Sequence, residues 1–320
     1  MRTSVIAPGV TVSQVGLGTM TFGDQLDLDE AKNLARLARD AGINFLDTAN
    51  VYAAGQSEQL VGQIISGIRD SVVLATKVGI PNSAADKRPL SAESVRRACE
   101  ASLGRLQTDR IDLYYLHQPD WSTPIDETLE AMRDLVAEGL VRAVGVSNYP
   151  AWQIAEMRVK AEASGFPLVS VAQQQYNLLS RRLEEEYSTF ARGRGVATVV
   201  YNPLAGGLLT GKYREATSPS EDGRFASSTY RDRYWNREQL EAVKDLGRLA
   251  DSRGLTLTEL SLRWLLSNDL VSVVLLGASR REQLVENLAA VSDEPLDHEA
   301  HEVCDAVWSK LRGAAPAYNR

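Results

Sequence analysis

The feature that most constrains the fold is a regular alternation of short apolar runs with longer amphipathic segments. Short apolar runs of this kind are typical of buried strands, and the segments between them carry the 3.6-residue spacing of helices. One such helix is predicted to begin at Ser91, with Val95, Cys99 and Leu106 on a single apolar stripe. The eight predicted strands are Val15–Leu17, Asn44–Leu46, Val72–Ala75, Ile111–Leu116, Val141–Val146, Val169–Ala172, Ala197–Val200 and Val271–Leu276.

Strands that alternate with helices predict parallel pairing through right-handed crossovers. Eight units favour an α/β fold of the closed (β/α)8 TIM barrel type, and one barrel accounts for the whole length, so we predict a single domain over residues 1–320. An open dinucleotide-binding sheet is disfavoured, because Gly16-Leu17-Gly18-Thr19-Met20 lacks the third glycine of that motif.

Two further segments depart from the repeat. Residues 3–13, around Pro8-Gly9, predict an N-terminal β-hairpin that covers one end of the domain. Residues Asn202 to Trp235 form a long loop after the seventh strand, and loops of this length in compact domains are usually lids or binding loops.

Composition narrows the partners and the location. The net charge of −7 argues against nucleic acid or an anionic membrane as a partner. The two cysteines, Cys99 and Cys304, give no disulfide framework and fit a reducing cytoplasm. No apolar stretch approaches the roughly 18 residues of a membrane span, and the N-terminus does not resemble a signal peptide. His298, His301 and Cys304 have metal-like spacing but lack a fourth ligand, so we predict no metal.

Polar or flexible residues follow every predicted strand. In a (β/α)8 barrel the carboxyl ends of all the strands meet at one mouth, where active sites lie. Eight such groups of residues, one after each strand, are hard to explain as capping alone, and they predict an active site. In chain order they are Gly18-Thr19, Asp47 with Tyr52 beyond it, Thr76-Lys77, His117, Ser147-Asn148, Gln173, Tyr201 and Gly277-Ala278-Ser279.

The ionisable members of this set suggest proton transfer. A tyrosine with an ordinary pKa of about 10 needs roughly 4 kcal/mol of preference for the phenolate to reach a pKa near 7. A lysine ammonium about 4 Å away supplies about that much at an effective dielectric near 20. We therefore expect Lys77 to lower the pKa of Tyr52, and Asp47 to keep Lys77 charged and in place. His117 could bind a substrate oxygen or share a proton with the tyrosine.

The order and spacing of six motifs resemble the aldo-keto reductase superfamily over essentially the whole chain. The motifs are Phe45-Leu46-Asp47-Thr48-Ala49-x-x-Tyr52, Thr76-Lys77, Leu116-His117, Gly145-Val146-Ser147-Asn148, Gln173-x-x-Tyr176-Asn177 and Gly277-Ala278-Ser279. The resemblance implies a (β/α)8 barrel that binds NADPH and reduces aldehydes and ketones to alcohols. It places the catalytic tetrad on Asp47, Tyr52, Lys77 and His117, with Tyr52 as the general acid.

The resemblance also implies the cofactor site. Ser147, Asn148 and Gln173 would hold the nicotinamide carboxamide, and Tyr201 would stack on the ring; the register is open among the three glutamines 173–175, and Gln173 fits the family spacing. Further expected cofactor contacts are Gly18, Thr19, Asp47, Pro203, Leu204, Gly206, Gly211, Lys212, Gly277, Ser279, Gln283, Glu286 and Asn287.

The 2′-phosphate site departs from the family pattern. Many members carry Lys-Ser where this chain has Gly277-Ala278, and arginine where it has Gln283. Arg280 and Arg281, at a predicted helix start that favours anions, could serve instead, so NADPH is expected over NADH. The alternative is that both arginines are merely solvated.

Loops that carry Met20, Phe22 and Trp121 are expected to line the substrate pocket. The partner expected there is a small-molecule carbonyl compound, whose identity and preferred reaction direction the sequence leaves open, as it does the oligomeric state. Two other functions remain open. One is a cofactor-binding regulatory subunit, because the family also resembles potassium-channel β subunits. The other is a reductase of a sugar or nucleotide-sugar ketone, with Arg224, Arg231 and Arg233 meeting a phosphate.

Overall fold

The computed structural model describes residues 1–81, 87–164, 169–214, 216, 218–219, 223–292 and 294–315. Its strands are β1 Thr3–Ala7, β2 Val10–Ser13, β3 Val15–Gly18, β4 Phe45–Asp47, β5 Val73–Val78, β6 Ile111–Leu116, β7 Val141–Ser147, β8 Val171–Gln175, β9 Ala197–Tyr201 and β10 Val271–Leu276. Strands β3 to β10 pair in parallel, in chain order, and β10 closes on β3. The predicted (β/α)8 barrel is confirmed.

Eleven α-helices occur in the described ranges. They are α1 Leu28–Asp40, α2 Gln56–Ile65, α3 Ala92–Leu106, α4 Ile125–Ala137, α5 Ala151–Ala163, α6 Tyr187–Arg194, α7 Ser228–Tyr234, α8 Arg237–Ser252, α9 Leu257–Leu266, α10 Arg281–Ala289 and α11 His298–Arg312. Local sequence sets several boundaries: Asp27 and Glu30 form a capping box before α1, and the Ser91 hydroxyl caps α3 as predicted.

The N-terminal hairpin closes one end of the barrel. β1 and β2 pair antiparallel, and Ile6, Val10 and Val12 are buried among side chains that fill the barrel interior, including Phe45 and Tyr115. The Ser4 hydroxyl donates to the carbonyl of Ser272 near the start of β10, so the hairpin lies at the amino ends of the strands. The opposite end, where the strands finish, is the mouth.

The last strand packs on the second of the two helices that follow the long loop. Helix α9 packs against β10, whereas α8 packs against α11 and α9. Apolar periodicity shows that a helix has a buried face but not which partner covers it, so the sequence could not assign these roles.

The long loop contains α7 and two 3-10 turns, Ala205–Thr210 and Gly223–Ala226; its residues 215, 217 and 220–222 lie outside the described set.

Candidate active site

Neighbouring strands bring the four predicted catalytic side chains together at the mouth. Asp47 ends β4 and pairs with Ala75 of β5, so it lies two residues below Lys77 on the adjacent strand. His117 follows β6 directly, and Tyr52 begins a 3-10 turn, Tyr52–Gly55, just beyond β4. Lys77 was expected directly after its strand; it lies within β5 instead, because its backbone still pairs with Tyr115.

Lys77 is the centre of this group, and its side chain is completely buried. Its Nζ donates to Asp47 Oδ1 at 2.5 Å and to the Thr48 carbonyl at 2.7 Å, and it lies 3.4 Å from Tyr52 Oη. Burial alone would lower the pKa of Lys77, but the Asp47 carboxylate and the contact with Tyr52 more than offset this effect, so the pKa is raised. The ammonium is therefore charged at neutral pH.

The pKa of Tyr52 corrects one sequence expectation. Burial raises the pKa of this phenol above its ordinary value, and Lys77 lowers it only in part, with Asp47 opposing Lys77. The attraction of the lysine charge is outweighed by the cost of desolvating a phenolate, which the sequence does not reveal. Tyr52 is consequently a neutral phenol at physiological pH, and Lys77 makes its proton easier to lose than burial alone would.

His117 contacts the phenol ring edge-on, with ring centroids 6.0 Å apart and planes at 81°. Burial and the Lys77 charge lower the pKa of His117 to about 3, so the imidazole is neutral near pH 7. Its Nδ1 is buried and has no hydrogen-bond partner among the described residues. A neutral imidazole next to a neutral phenol can bind a carbonyl oxygen without a competing positive charge.

A second group of polar side chains adjoins the first. Gln173 Nε2 donates to Asp47 Oδ2 at 2.8 Å, which connects β8 to the ionic centre. Asn148 Nδ2 donates to the His117 carbonyl at 3.0 Å and contacts Ser147 Oγ at 3.1 Å. Tyr201 Oη donates to Asn148 Oδ1 at 2.6 Å. These four residues thus form one connected set beside the tetrad.

Thr19 closes the ring of strand ends on the other side. Its hydroxyl donates to the Asp47 carbonyl at 3.1 Å, and Ser57 Oγ donates to the Thr19 carbonyl at 2.8 Å. Ser57 lies in the first turn of α2, which begins after Gly55 without a side-chain cap. Its hydroxyl contacts both Thr19 Oγ1 and Thr48 Oγ1, at 3.0 and 2.9 Å. Gly18 lies beside them at the end of β3.

The segment after β10 carries the residues expected near a phosphate. Gly277 and Arg281 are exposed and Arg280 precedes the first turn of α10. Gln283 Oε1 accepts from the Ser279 amide at 2.9 Å and from its hydroxyl at 3.2 Å, so this glutamine connects the first turn of α10 to the segment before it. Glu286 is exposed on the same helix and Asn287 is buried.

The long loop lies over this side of the mouth. Arg224 Nη1 donates to Tyr230 Oη at 2.7 Å and lies 3.6 Å from Met20 Sδ, while Nη2 lies 3.8 Å from a β-carbon placed on Gly277. The other predicted loop residues precede it: Pro203 is buried, Leu204, Gly206 and Gly211 are partly exposed, and Lys212 is exposed.

The predicted substrate-pocket residues differ in exposure. Met20 is 44% exposed and Trp121 is 74% exposed, so both have surface available to a ligand. Phe22 is 1% exposed and packs in the hydrophobic core, which is at odds with direct contact to a substrate. An apolar ring in a loop otherwise rich in small and polar residues suits both a substrate pocket and the hydrophobic core. The sequence therefore could not decide between these two locations for Phe22.

Glu58, in the first turn of α2, is a buried carboxylate that the sequence pattern did not indicate. Its side chain is fully buried and pairs with Arg105. Gly62, one turn later on α2, was the signal that this helix packs closely on a neighbour.

Within the described ranges, no helix is long and apolar enough to cross a membrane, and no group of three His, Cys, Asp or Glu side chains is placed to hold a metal.

The mouth of the closed (β/α)8 barrel thus brings together a lysine, an aspartate, a tyrosine and a histidine, side chains that can hold or transfer a proton. Comparison with known proteins identifies the family. A profile of the aldo/keto reductase family matches residues 14–309. The chain therefore belongs to the aldo/keto reductase family, whose members are oxidoreductases.

Individual relatives cover most of the chain. Aflatoxin B1 aldehyde reductase member 2 of Rattus norvegicus is 37% identical over 95% of this chain and 87% of its own length. Human aldo-keto reductase family 7 member A3 is 35% identical over 95% of this chain and 96% of its own. A probable voltage-gated potassium channel subunit beta of Arabidopsis thaliana is 38% identical over 90% of both chains.

Proposed function

We propose that this protein is an NADPH-dependent reductase that converts an aldehyde or ketone to an alcohol, with Tyr52 as the general acid. The observation that carries the proposal is the continuous chain of contacts from Asp47 through Lys77 to Tyr52, with His117 against the phenol. Relatives named as aflatoxin B1 aldehyde reductases favour an aldehyde. We also keep the cytoplasm as the proposed location, and a small carbonyl compound as the partner.

The residues present fit a nicotinamide cofactor. Ser147, Asn148 and Gln173 offer hydroxyl and amide groups of the kind that a carboxamide binds, and Tyr201 is a partly exposed aromatic ring beside them. The exposed Arg280 and Arg281 at the start of α10 suit a phosphate, because a helix N-terminus and guanidinium groups both favour anions. These residues would hold NADPH, which supplies the hydride when it is bound.

The side chains of the protein then handle the proton. Tyr52 Oη donates its proton to the carbonyl oxygen as negative charge develops there. Lys77, kept charged by Asp47, stabilises the phenolate that Tyr52 becomes, and so lowers the cost of the transfer. The neutral His117 provides a second polar contact to the same oxygen and fixes its direction.

Two other functions were open from the sequence. The similarity to a potassium-channel β subunit keeps a regulatory, cofactor-binding role as the second candidate. A phosphorylated sugar ketone has less support, because Arg231 Nη1 donates to the carbonyls of Phe225 and Ala226 at 3.0 and 2.9 Å and so already stabilises the loop. Arg233 is exposed and remains available for such a group.

The test is a fluorescence titration with NADPH and NADH, followed by a turnover assay with a panel of aldehydes and ketones. We expect NADPH binding and reduction of at least one aldehyde. Tyr52→Phe is the variant that tests the general acid, because it keeps the ring and removes the proton donor. It should lower kcat by about 10² to 10⁴ and leave the NADPH dissociation constant within about twofold. Binding without turnover would favour the regulatory candidate, and full turnover by Tyr52→Phe would reject Tyr52 as the acid.

A further inference from the structure

The fully buried carboxylate of Glu58, on α2, has no part in the proton transfer described above. Its Oε2 accepts from Arg105 Nε at 2.7 Å, and its Oε1 accepts from Thr76 Oγ1 at 2.5 Å. Glu58 is 0% exposed and the Arg105 side chain 27%. A buried carboxylate is costly unless it is paired and hydrogen-bonded, so this arrangement is a specific and demanding feature of the fold.

Thr76 connects Glu58 to Lys77. Successive side chains of a strand point to opposite faces, so Thr76 faces the helices while Lys77, the next residue, faces Asp47 inside the barrel. The bond between Thr76 and Glu58 therefore holds the piece of backbone that carries the Lys77 ammonium.

Arg105 connects the same pair to Tyr52. A β-carbon on Gly55 would lie 3.0 Å from Arg105 Cδ, so the arginine packs directly against the last residue of the Tyr52–Gly55 turn. Within this turn Ala53 and Ala54 have positive φ angles of 47° and 54°. Such conformations persist where the surrounding structure holds them, and Arg105 is part of that surrounding structure.

The place of Arg105 is itself fixed by the packing of α2 on α3. A β-carbon on Gly62 would lie 2.7 Å from the carbonyl oxygen of Leu106, so the two helices meet at backbone distance. Arg105 lies in the last turn of α3, next to this contact, and its Nη2 also donates to Ser102 Oγ at 3.2 Å. The guanidinium thus reaches Glu58 and Gly55 from a rigid position.

We propose that Glu58 and Arg105 are positioning residues that set the distance between Tyr52 and Lys77. Glu58 bonds to Thr76 on the strand that carries Lys77, and Arg105 packs against Gly55 in the turn that carries Tyr52. The two groups are 3.4 Å apart, near the limit of a hydrogen bond, so a shift of a fraction of an ångström decides whether Lys77 can donate a hydrogen bond to the Tyr52 oxygen. This inference rests on the proposed role of Tyr52 as the acid.

The experiment compares Glu58→Gln and Thr76→Val with a control, Asp112→Asn. Asp112 is also a buried carboxylate paired with arginine, but it lies at the amino end of β6, away from the mouth. All three proteins are measured for Tm, for the NADPH dissociation constant, and for kcat and KM with 4-nitrobenzaldehyde. Crystal structures of the variants give the distance from Tyr52 Oη to Lys77 Nζ.

We expect kcat to fall about tenfold or more in Glu58→Gln and in Thr76→Val, because small errors in position are costly in catalysis. The NADPH dissociation constant and KM should change by about twofold at most, and Tyr52 and Lys77 should lie farther apart. Asp112→Asn should lose Tm to a similar extent and keep kcat. If Glu58→Gln does not fold, Thr76→Val, which removes one hydrogen bond at constant shape, decides the matter.

The inference is overturned if Glu58→Gln and Thr76→Val both keep kcat, or if Asp112→Asn loses as much kcat as they do. It is also overturned if the distance between Tyr52 and Lys77 is unchanged in both crystal structures. Failure of the proposed function looks different, because the unmodified protein would then reduce none of the carbonyl compounds, and the distances alone would test the positioning role.

Discussion

Two buried aspartates at opposite ends of the barrel show how burial can serve different purposes. Asp47 at the mouth is 2% exposed and Asp112 at the amino ends of the strands is 1% exposed. Asp112 Oδ2 accepts from the Leu74 amide at 2.9 Å and from Arg69 Nη1 at 2.7 Å, and Arg142 Nη1 lies 3.3 Å from Oδ1. Asp47 instead contacts Lys77 and the amide of Gln173.

The difference lies in the cations. The side chains of Arg69 and Arg142 are 14% and 46% exposed, so water shares in their solvation, and they remain charged whatever the carboxylate does. Lys77 is 0% exposed and lies 3.4 Å from a phenol that can lose its proton. The charges around Asp112 therefore connect strands and turns, whereas those around Asp47 also change the pKa of the Tyr52 phenol.

The sharpest test of this comparison is the stability of Asp47→Asn against that of Asp112→Asn. Removing Asp47 leaves a fully buried ammonium without its carboxylate, which should lower the free energy of unfolding by about 3–5 kcal/mol. Removing Asp112 leaves arginines that water can reach, so the loss should be about 1–3 kcal/mol. Urea unfolding at pH 7 measures both values.

The same pair of variants has a pH signature. Without Asp47, burial would lower the pKa of Lys77, so the loss of stability of Asp47→Asn should shrink as the pH rises and the lysine becomes neutral. Arginine keeps its charge at any working pH, so Asp112→Asn should show no such recovery. Equal losses in the two variants, or equal pH profiles, would remove the distinction between the two ends.

The barrel was predictable because eight buried strands and their helices repeat with a period that few folds share. The site was predictable for a related reason: parallel strands deliver whatever follows them to one edge, so Asp47, His117 and Ser147 had to converge once the barrel was assumed. This inference needs only the order of the strands and not their geometry.

Other features depend on distances that a linear pattern does not contain. The pairing of Glu58 with Arg105 joins residues 47 positions apart, and only the close packing at Gly62 brings them together. The pKa of Tyr52 depends on the balance between burial and the Lys77 charge, which requires coordinates. Tertiary packing likewise decides that Phe22 is buried and which elements α8 and α9 pack against.

His117 offers a second test of how deeply the mouth is buried. Its pKa falls from the ordinary 6.5 to about 3, so between these values the unfolded chain binds a proton that the folded protein does not. Folded stability is therefore lost as the pH drops from 6.5 toward 3, by up to about 1.4 kcal/mol per pH unit. His117→Gln should flatten the profile over this range, as measured by urea unfolding at a series of pH values.

The exposed His298, on α11, provides the matched control for that measurement. Its side chain is 87% exposed and its Nδ1 lies 3.6 Å from Glu302 Oε1, so His298→Gln shows what the loss of a surface histidine does to the profile. A flattened profile in His298→Gln, or an unchanged profile in His117→Gln, would show that the acid sensitivity of the protein has another origin.

The smallest expected effect concerns arginines at the mouth that, unlike those around Asp112, have no carboxylate within salt-bridge distance in the described part of the chain. Arg280 and Arg281 fit this description, and both are exposed at the start of α10. Because no carboxylate neutralises them there, they are the residues that we propose bind the 2′-phosphate that distinguishes NADPH from NADH. Arg280→Ala combined with Arg281→Ala should raise the NADPH dissociation constant about tenfold, or about 1.4 kcal/mol, with the NADH value nearly unchanged.

Arg237→Ala is the control for this last pair, because Arg237 also begins a helix, is 86% exposed and is already paired with Glu241. It should change neither dissociation constant. The preference for NADPH in the unmodified protein should also weaken as salt is added, since exposed charges are screened over about 10 Å at 0.1 M ionic strength. Equal losses for NADPH and NADH in the double variant would mean that the arginines at the mouth, like those at the other end, serve the fold and not the ligand.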